Sequence, residues 1–179
     1  LIKYNFEIAM NLEEYLKRIG IEQSSISLTL ENLKLLQKQH LLKIPFENLD
    51  IHRKRPIILD TEKFYQKIIE NKRGGFCYEL NSLFYELLKE LGFIGKIISA
   101  RVKQRDGTFG AEYDHLAILT KISEEEFLVD VGFGDFSAEP LKFVLDVEQV
   151  DKNGNFQIRK FDDEYFEVVK KDDENWESE

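Results

Sequence analysis

One cysteine and three histidines make up the chain's supply of thiol nucleophiles and neutral-pH bases. Cys77 lies in Arg73-Gly74-Gly75-Phe76-Cys77-Tyr78-Glu79-Leu80-Asn81, where a glycine pair runs into an apolar pattern of helical period. Leu80, Leu83, Phe84, Leu87, Leu88 and Leu91 follow at three/four spacing, which marks one buried helix face. Gly92 stands where a left-handed C-cap is expected. Cys77 is thereby placed at or just before a helix start. Unpaired N–H groups and the positive end of the helix dipole favour an anion there. A thiolate is such an anion, and it is the form of cysteine that attacks carbonyls. A free cysteine is also commonly a small buried hydrophobe. The helix start alone leaves both readings open.

A cysteine nucleophile needs a base, and the base needs an orienting group. His115 opens the apolar stretch His115-Leu116-Ala117-Ile118-Leu119, and Asp130 falls inside Leu128-Val129-Asp130-Val131-Gly132-Phe133-Gly134. An acid in the middle of an apolar strand is costly unless it is paired. If the two strands are neighbours, joined by a turn around 123–125, both side chains can face the helical half. The competing reading is that Asp130 bonds a backbone turn and His115 only packs. Three costly placements in one chain favour a Cys–His–Asp site. His40 falls on an apolar helical stripe and reads as packing, while His52, before Arg53-Lys54-Arg55, reads as surface. These scattered ligand types give no pair at metal-binding spacing, so no metal is expected. The glycines match neither a P-loop nor a dinucleotide fingerprint.

The elements that must position these residues fall into two halves. Helices are expected over 12–19, from a cap at Ser27 or Thr29 to Pro45, and from a cap at Asp60 or Thr61 through Ile69. The Cys77 helix is the fourth. Strands are expected over 96–102, 116–122, 126–131, 143–150, 156–161 and 165–169, with Asn153-Gly154 signalling a type I′ hairpin. Helices followed by a strand meander mean an α+β fold: a helical bundle over 1–94, then an antiparallel β-sheet or small β-barrel over 95–179. The site would lie between them.

Composition narrows the function. The 179 residues are 42% hydrophobic and 12% aromatic, which suits a packed core rather than disorder. A net charge of −9 argues against a nucleic-acid partner. The acidic runs 162–164 and 172–174 read as solvated surface or tail. The first 20 residues lack a signal-peptide pattern, and no apolar run reaches a membrane span. A single cysteine fits a reducing, cytoplasmic compartment.

These residues also carry a resemblance. Tyr15-Leu16-Lys17-Arg18-Ile19-Gly20, Ile44-Pro45-Phe46-Glu47-Asn48-Leu49, the Cys77 block, His115-Leu116, and Val129 to Gly134 make the chain resemble the arylamine N-acetyltransferases. The resemblance implies ping-pong transfer from acetyl-coenzyme A, a co-substrate rather than a bound cofactor, to an arylamine, hydrazine or N-hydroxyarylamine. Cys77 would be the nucleophile, His115 its base and acid, and Asp130 the group fixing the imidazole, as in a cysteine-protease-like triad. Arg73 would pair with Glu47 and, with Gly75, support the cysteine loop. The acceptor would contact Phe46, Val102 and Phe133. Small molecules would be the partners, with neither nucleic acid nor membrane involved. Family members continue into a third α/β lid domain that supplies part of the coenzyme A contact. This sequence ends near where the lid would begin, so a chain without it is expected. The alternatives are a lidless homologue of weak or no activity that acts as a binding module, and a transglutaminase- or cysteine-protease-like thiol enzyme.

Overall fold

In the computed structural model, helices occupy the first half of the chain and antiparallel strands the second. The structure describes residues 10–22, 26–172 and 175–178. Helix α1 (Leu12–Ile19) is capped by Asn11 and closed by Gly20, whose φ of 76° lies in the left-handed region that favours glycine. Helix α2 (Leu30–Lys43) is capped by Thr29, whose Oγ1 accepts from Asn32 N at 3.3 Å. A single turn, α3 (Leu49–His52), is too short to leave a periodic pattern in the sequence. Helix α4 (Thr61–Tyr65), capped by Asp60, runs on into a π-helical turn, Gln66–Glu70. Helix α5 (Cys77–Glu90) ends as its sequence indicates, with Gly92 at φ 95° and Phe93 N bonded to Leu88 O.

The first sheet has strand order β1-β2-β3-β4, with β1 Ile94–Ala100, β2 His115–Ile122, β3 Glu125–Val129 and β4 Leu141–Lys142. The second has order β5-β6-β7-β8, with β5 Gln149–Asp151, β6 Gly154–Lys160, β7 Phe166–Asp172 and β8 Asn175–Ser178. Neither sheet is closed. The barrel alternative is therefore corrected to two open four-stranded sheets, since among the described residues each short meander ends in two edge strands. Tyr15, Leu33, Phe64, Ile68, Leu80 and Phe84 from the helices share one core with Ile118 and Val129 from the first sheet. A second core, built on Ala117, Leu128, Phe136, Phe156 and Ile158, joins the sheets.

Several local expectations change. The expected strand 143–150 breaks up, because Asp146 takes a φ of 59° that a pleated strand cannot hold. In the β5–β6 hairpin Asp151 pairs with Gly154, so Lys152 and Asn153 occupy the turn, and neither has positive φ. That excludes type I′. Asp151 Oδ1 instead accepts from Asn153 N at 2.8 Å, and the positive φ moves to Gly154. The end of the chain is not all tail, since β8 pairs along β7. Residues 173–174 of that acidic run, and residues 1–9 of the N-terminal reading, lie outside the described residues. No helix among the described residues is long and apolar enough to cross a membrane.

Candidate active site

Cys77 is the first residue of α5 and is half-buried. The loop before it is laid against the segment after α2: Glu47 N donates to Gly75 O at 2.9 Å, and Gly75 N donates to Pro45 O at 3.3 Å. This approach is why residue 74 is glycine, since a Cβ there would stand 2.0 Å from Pro45 O. Arg73 forks between Glu47 (Nη2–Oε1, 2.6 Å) and Asp50 (Nη1–Oδ2, 2.9 Å). The expected Arg73–Glu47 brace is therefore present within a larger network. Lys67, from the π-helical turn, reaches Glu79 at 2.7 Å, Asp50 at 3.2 Å and Glu47 at 3.4 Å. Burial works against the Asp50 carboxylate, but hydrogen bonds from Arg73 and Lys67 hold it below its ordinary range. Glu79 also closes the helix start, accepting from Phe76 N at 3.1 Å. Sequence reasoning did not single out Asp50, Lys67 or Glu79 as support. Only Glu79 had a local signal, an acid at the third helical position.

His115 is the first residue of β2. Asp130 is not inside β3, as expected, but one residue beyond its end at Val129. The strand stops there because Asp130 turns its own backbone: Oδ1 accepts from Gly132 N at 2.7 Å and Phe133 N at 3.1 Å. Oδ2 takes His115 Nε2 at 2.5 Å. The two readings of Asp130 thus divide between its two oxygens, one bonding a backbone turn and one holding a histidine. Both residues are buried, His115 at 5% exposure and Asp130 at 4%. After Asp130 the chain passes against α5, and a Cβ on Gly132 would come within 2.7 Å of Cys77 Cα.

Burial opposes a charged His115, but hydrogen bonds to Asp130 and Cys77, together with their charges, outweigh it and raise the imidazole to about 10. Asp130 occupies Nε2, which leaves Nδ1 as the ring nitrogen open to Cys77. The arrangement can hold a charged imidazolium beside the Asp130 carboxyl group. Folding raises this group from 6.5 to about 10. Its stabilising contribution is therefore complete below pH 6.5 and disappears as the pH climbs through about 10. Thermal melts should show stability declining between about pH 7 and about pH 10, with a flatter decline in His115→Gln. Parallel declines in the two proteins would contradict the ion pair.

A cavity of about 410 Å³ opens between the sheets and reaches His115 and Asp130, a size that suits a small-molecule ligand. Ile98, Leu128, Phe136 and Ile158 line its apolar wall, and Val102 and Phe133 line it as well. Phe46 does not; it stands on the cysteine-loop side and is 51% exposed. Phe109, Phe161 and Tyr165 also line the cavity and were not anticipated. His40 packs as expected, fully buried with its ring 5.1 Å from Phe84, and burial lowers it to about 3. His52 is exposed. Among the described residues no group of three or more His, Cys, Asp or Glu side chains could hold a metal.

A family model described as N-acetyltransferase matches residues 29–179. The chain belongs to the arylamine N-acetyltransferase family. It is 31% identical over 155 residues to an arylamine N-acetyltransferase of Escherichia coli, covering 86% of this chain and 55% of the relative. It is 35% identical over 152 residues to the chicken pineal isozyme NAT-10, covering 83% and 52%. The chain thus spans about half the length of these curated arylamine N-acetyltransferases. Among solved structures, the Salmonella typhimurium arylamine N-acetyltransferase superposes with a TM-score of 0.86 at 29% identity, covering 93% of this chain and 61% of that one. A Bacillus cereus arylamine N-acetyltransferase, described as having a Cys-His-Glu catalytic triad, superposes with a TM-score of 0.83 at 28% identity, covering 93% and 66%.

Proposed function

We propose that this chain transfers an acetyl group from acetyl-coenzyme A to an arylamine, hydrazine or N-hydroxyarylamine by a ping-pong route through acetyl-Cys77. The observation that carries the reading is the buried His115–Asp130 pair beside the start of the Cys77 helix, where Gly132 packs against Cys77. The Cys77 thiolate attacks the thioester carbonyl, and the tetrahedral oxyanion faces the unpaired N–H groups at the start of α5. The C–S bond to coenzyme A breaks, and His115 delivers its proton to the departing thiolate. The acceptor amine then attacks acetyl-Cys77, His115 takes the amine proton, and the thiolate is restored. Asp130 keeps Nδ1 directed at the sulfur throughout. Val102 and Phe133 contact the aromatic acceptor from the cavity, and Phe46 does so from the cysteine-loop side. The single cysteine fits a reducing compartment such as the cytoplasm.

The test is a two-stage chase. The chain is loaded with acetyl-coenzyme A, desalted, and then given aniline. One acetanilide per loaded chain, formed with no coenzyme A species present, is expected. Product formed only when donor and acceptor are present together would overturn the ping-pong route, and absence of any product would overturn acetyl transfer.

A further inference from the structure

Asn81 lies one helical turn beyond Cys77 on the same face of α5 and is 0% exposed. Its carboxamide makes three hydrogen bonds to the two strand ends that present His115 and Asp130. Nδ2 donates to Leu116 O at 2.6 Å, next to His115, and to Asp130 Oδ1 at 2.9 Å. Oδ1 accepts from Val131 N at 2.9 Å. The partners also fix which way the amide faces. Turned over, its oxygen would meet a carbonyl and a carboxylate, and its NH2 would meet an N–H. Of the three donors to Asp130 Oδ1, Asn81 Nδ2 is the one that belongs to the cysteine helix; Gly132 N and Phe133 N are local to the aspartate's own turn. With Oδ1 held by these donors, Oδ2 remains aimed at His115 Nε2.

The geometry points to Asn81 as a positioning residue for acyl transfer: its carboxamide locks the helix carrying Cys77 to the His115–Asp130 pair and so sets where the sulfur stands relative to the imidazole. This rests on the proposed acyl-transfer role of Cys77. That placement depends on three elements, and one side chain on the cysteine helix bonds the other two. Without it the local turn still forms, but the hydrogen bonds that tie the cysteine helix to the two strand ends are lost. A displacement of about 1 Å at a reacting pair can cost about a hundredfold in rate.

The experiment measures Cys77 alkylation by iodoacetamide across pH, alongside acetyl loading from acetyl-coenzyme A, in wild type, Asn81→Ala and Asn81→Asp. Circular dichroism checks folding in each. Asn81→Ala should lower alkylation at neutral pH by at least about tenfold while leaving the rate at high pH nearly unchanged, and acetyl loading should fall about a hundredfold. Asn81→Asp keeps the size of the side chain and can donate to Asp130 only when protonated. It should therefore recover alkylation relative to Asn81→Ala as the pH falls. If Asn81→Ala does not fold, Asn81→Asp decides the question alone, its alkylation rate rising toward that of wild type as the pH falls. A folded variant whose alkylation profile overlays that of wild type would overturn the positioning role. The two proposals fail separately. A wild type that does not load acetyl, with Asn81 variants still altered in alkylation, sinks only the acyl-transfer reading. A wild type that loads, with unaltered variants, sinks only this inference.

Discussion

Asp130→Asn should lower the rate of acetyl transfer by about 10⁴-fold, the scale seen when the buried acid of a serine-protease triad is made an amide. The reason is a tautomer rather than a lost contact. The variant's amide oxygen can still accept from Gly132 N, Phe133 N and Asn81 Nδ2, as Oδ1 does now. Its NH2 must then face His115 Nε2, which becomes an acceptor and sends the ring proton to Nδ1. A neutral imidazole with its proton directed at Cys77 cannot take a proton from the thiol. The carboxylate that raises His115 to about 10 is also removed, so the decline in stability at alkaline pH should flatten. The stability cost should be about 1–3 kcal/mol, because a buried charged hydrogen bond is replaced by a neutral one. Steady-state kinetics with a paired thermal melt check both effects. A rate loss of less than about tenfold would mean that Asp130 serves only the backbone turn.

Cys77→Ala should abolish turnover, by more than about 10⁴-fold, with a stability change below about 1 kcal/mol. The side chain is small and half-buried, and the helix start is held by neighbours. Glu79 bonds Phe76 N, and the Gly75–Phe46 bridge fixes the loop before it. Loss of the sulfur therefore leaves the frame standing and the chemistry without a nucleophile. Transfer by Cys77→Ala at more than about 1% of the wild-type rate would show that acceptor and donor react directly.

What the sequence disclosed follows from the range of each cause. The Cys77 helix was legible from end to end because its apolar period, glycine cap and N-terminal glycines are all local. His115 was legible as a strand opener for the same reason. Asp130 was recognised as an expensive acid, but its side chain ends the strand by bonding two following N–H groups, which hydrophobic alternation does not encode. The Lys67–Asp50–Glu79 network was not legible. It joins a π-helical turn, a four-residue helix and the start of α5 through ion pairs between side chains distant in sequence, which no periodic pattern reports. Strand β8 was missed because a polar, acidic segment at a sheet edge looks like solvated tail. The open sheets follow from strand pairing, which no local pattern reports.

The most direct measurement is intact-protein mass spectrometry of the chain after exposure to acetyl-coenzyme A alone, followed by peptide mapping. The account predicts one adduct per chain of about 42 Da, on Cys77, labile to hydroxylamine and absent from Cys77→Ala. An unmodified chain whose Cys77 still reacts with iodoacetamide at neutral pH would contradict it.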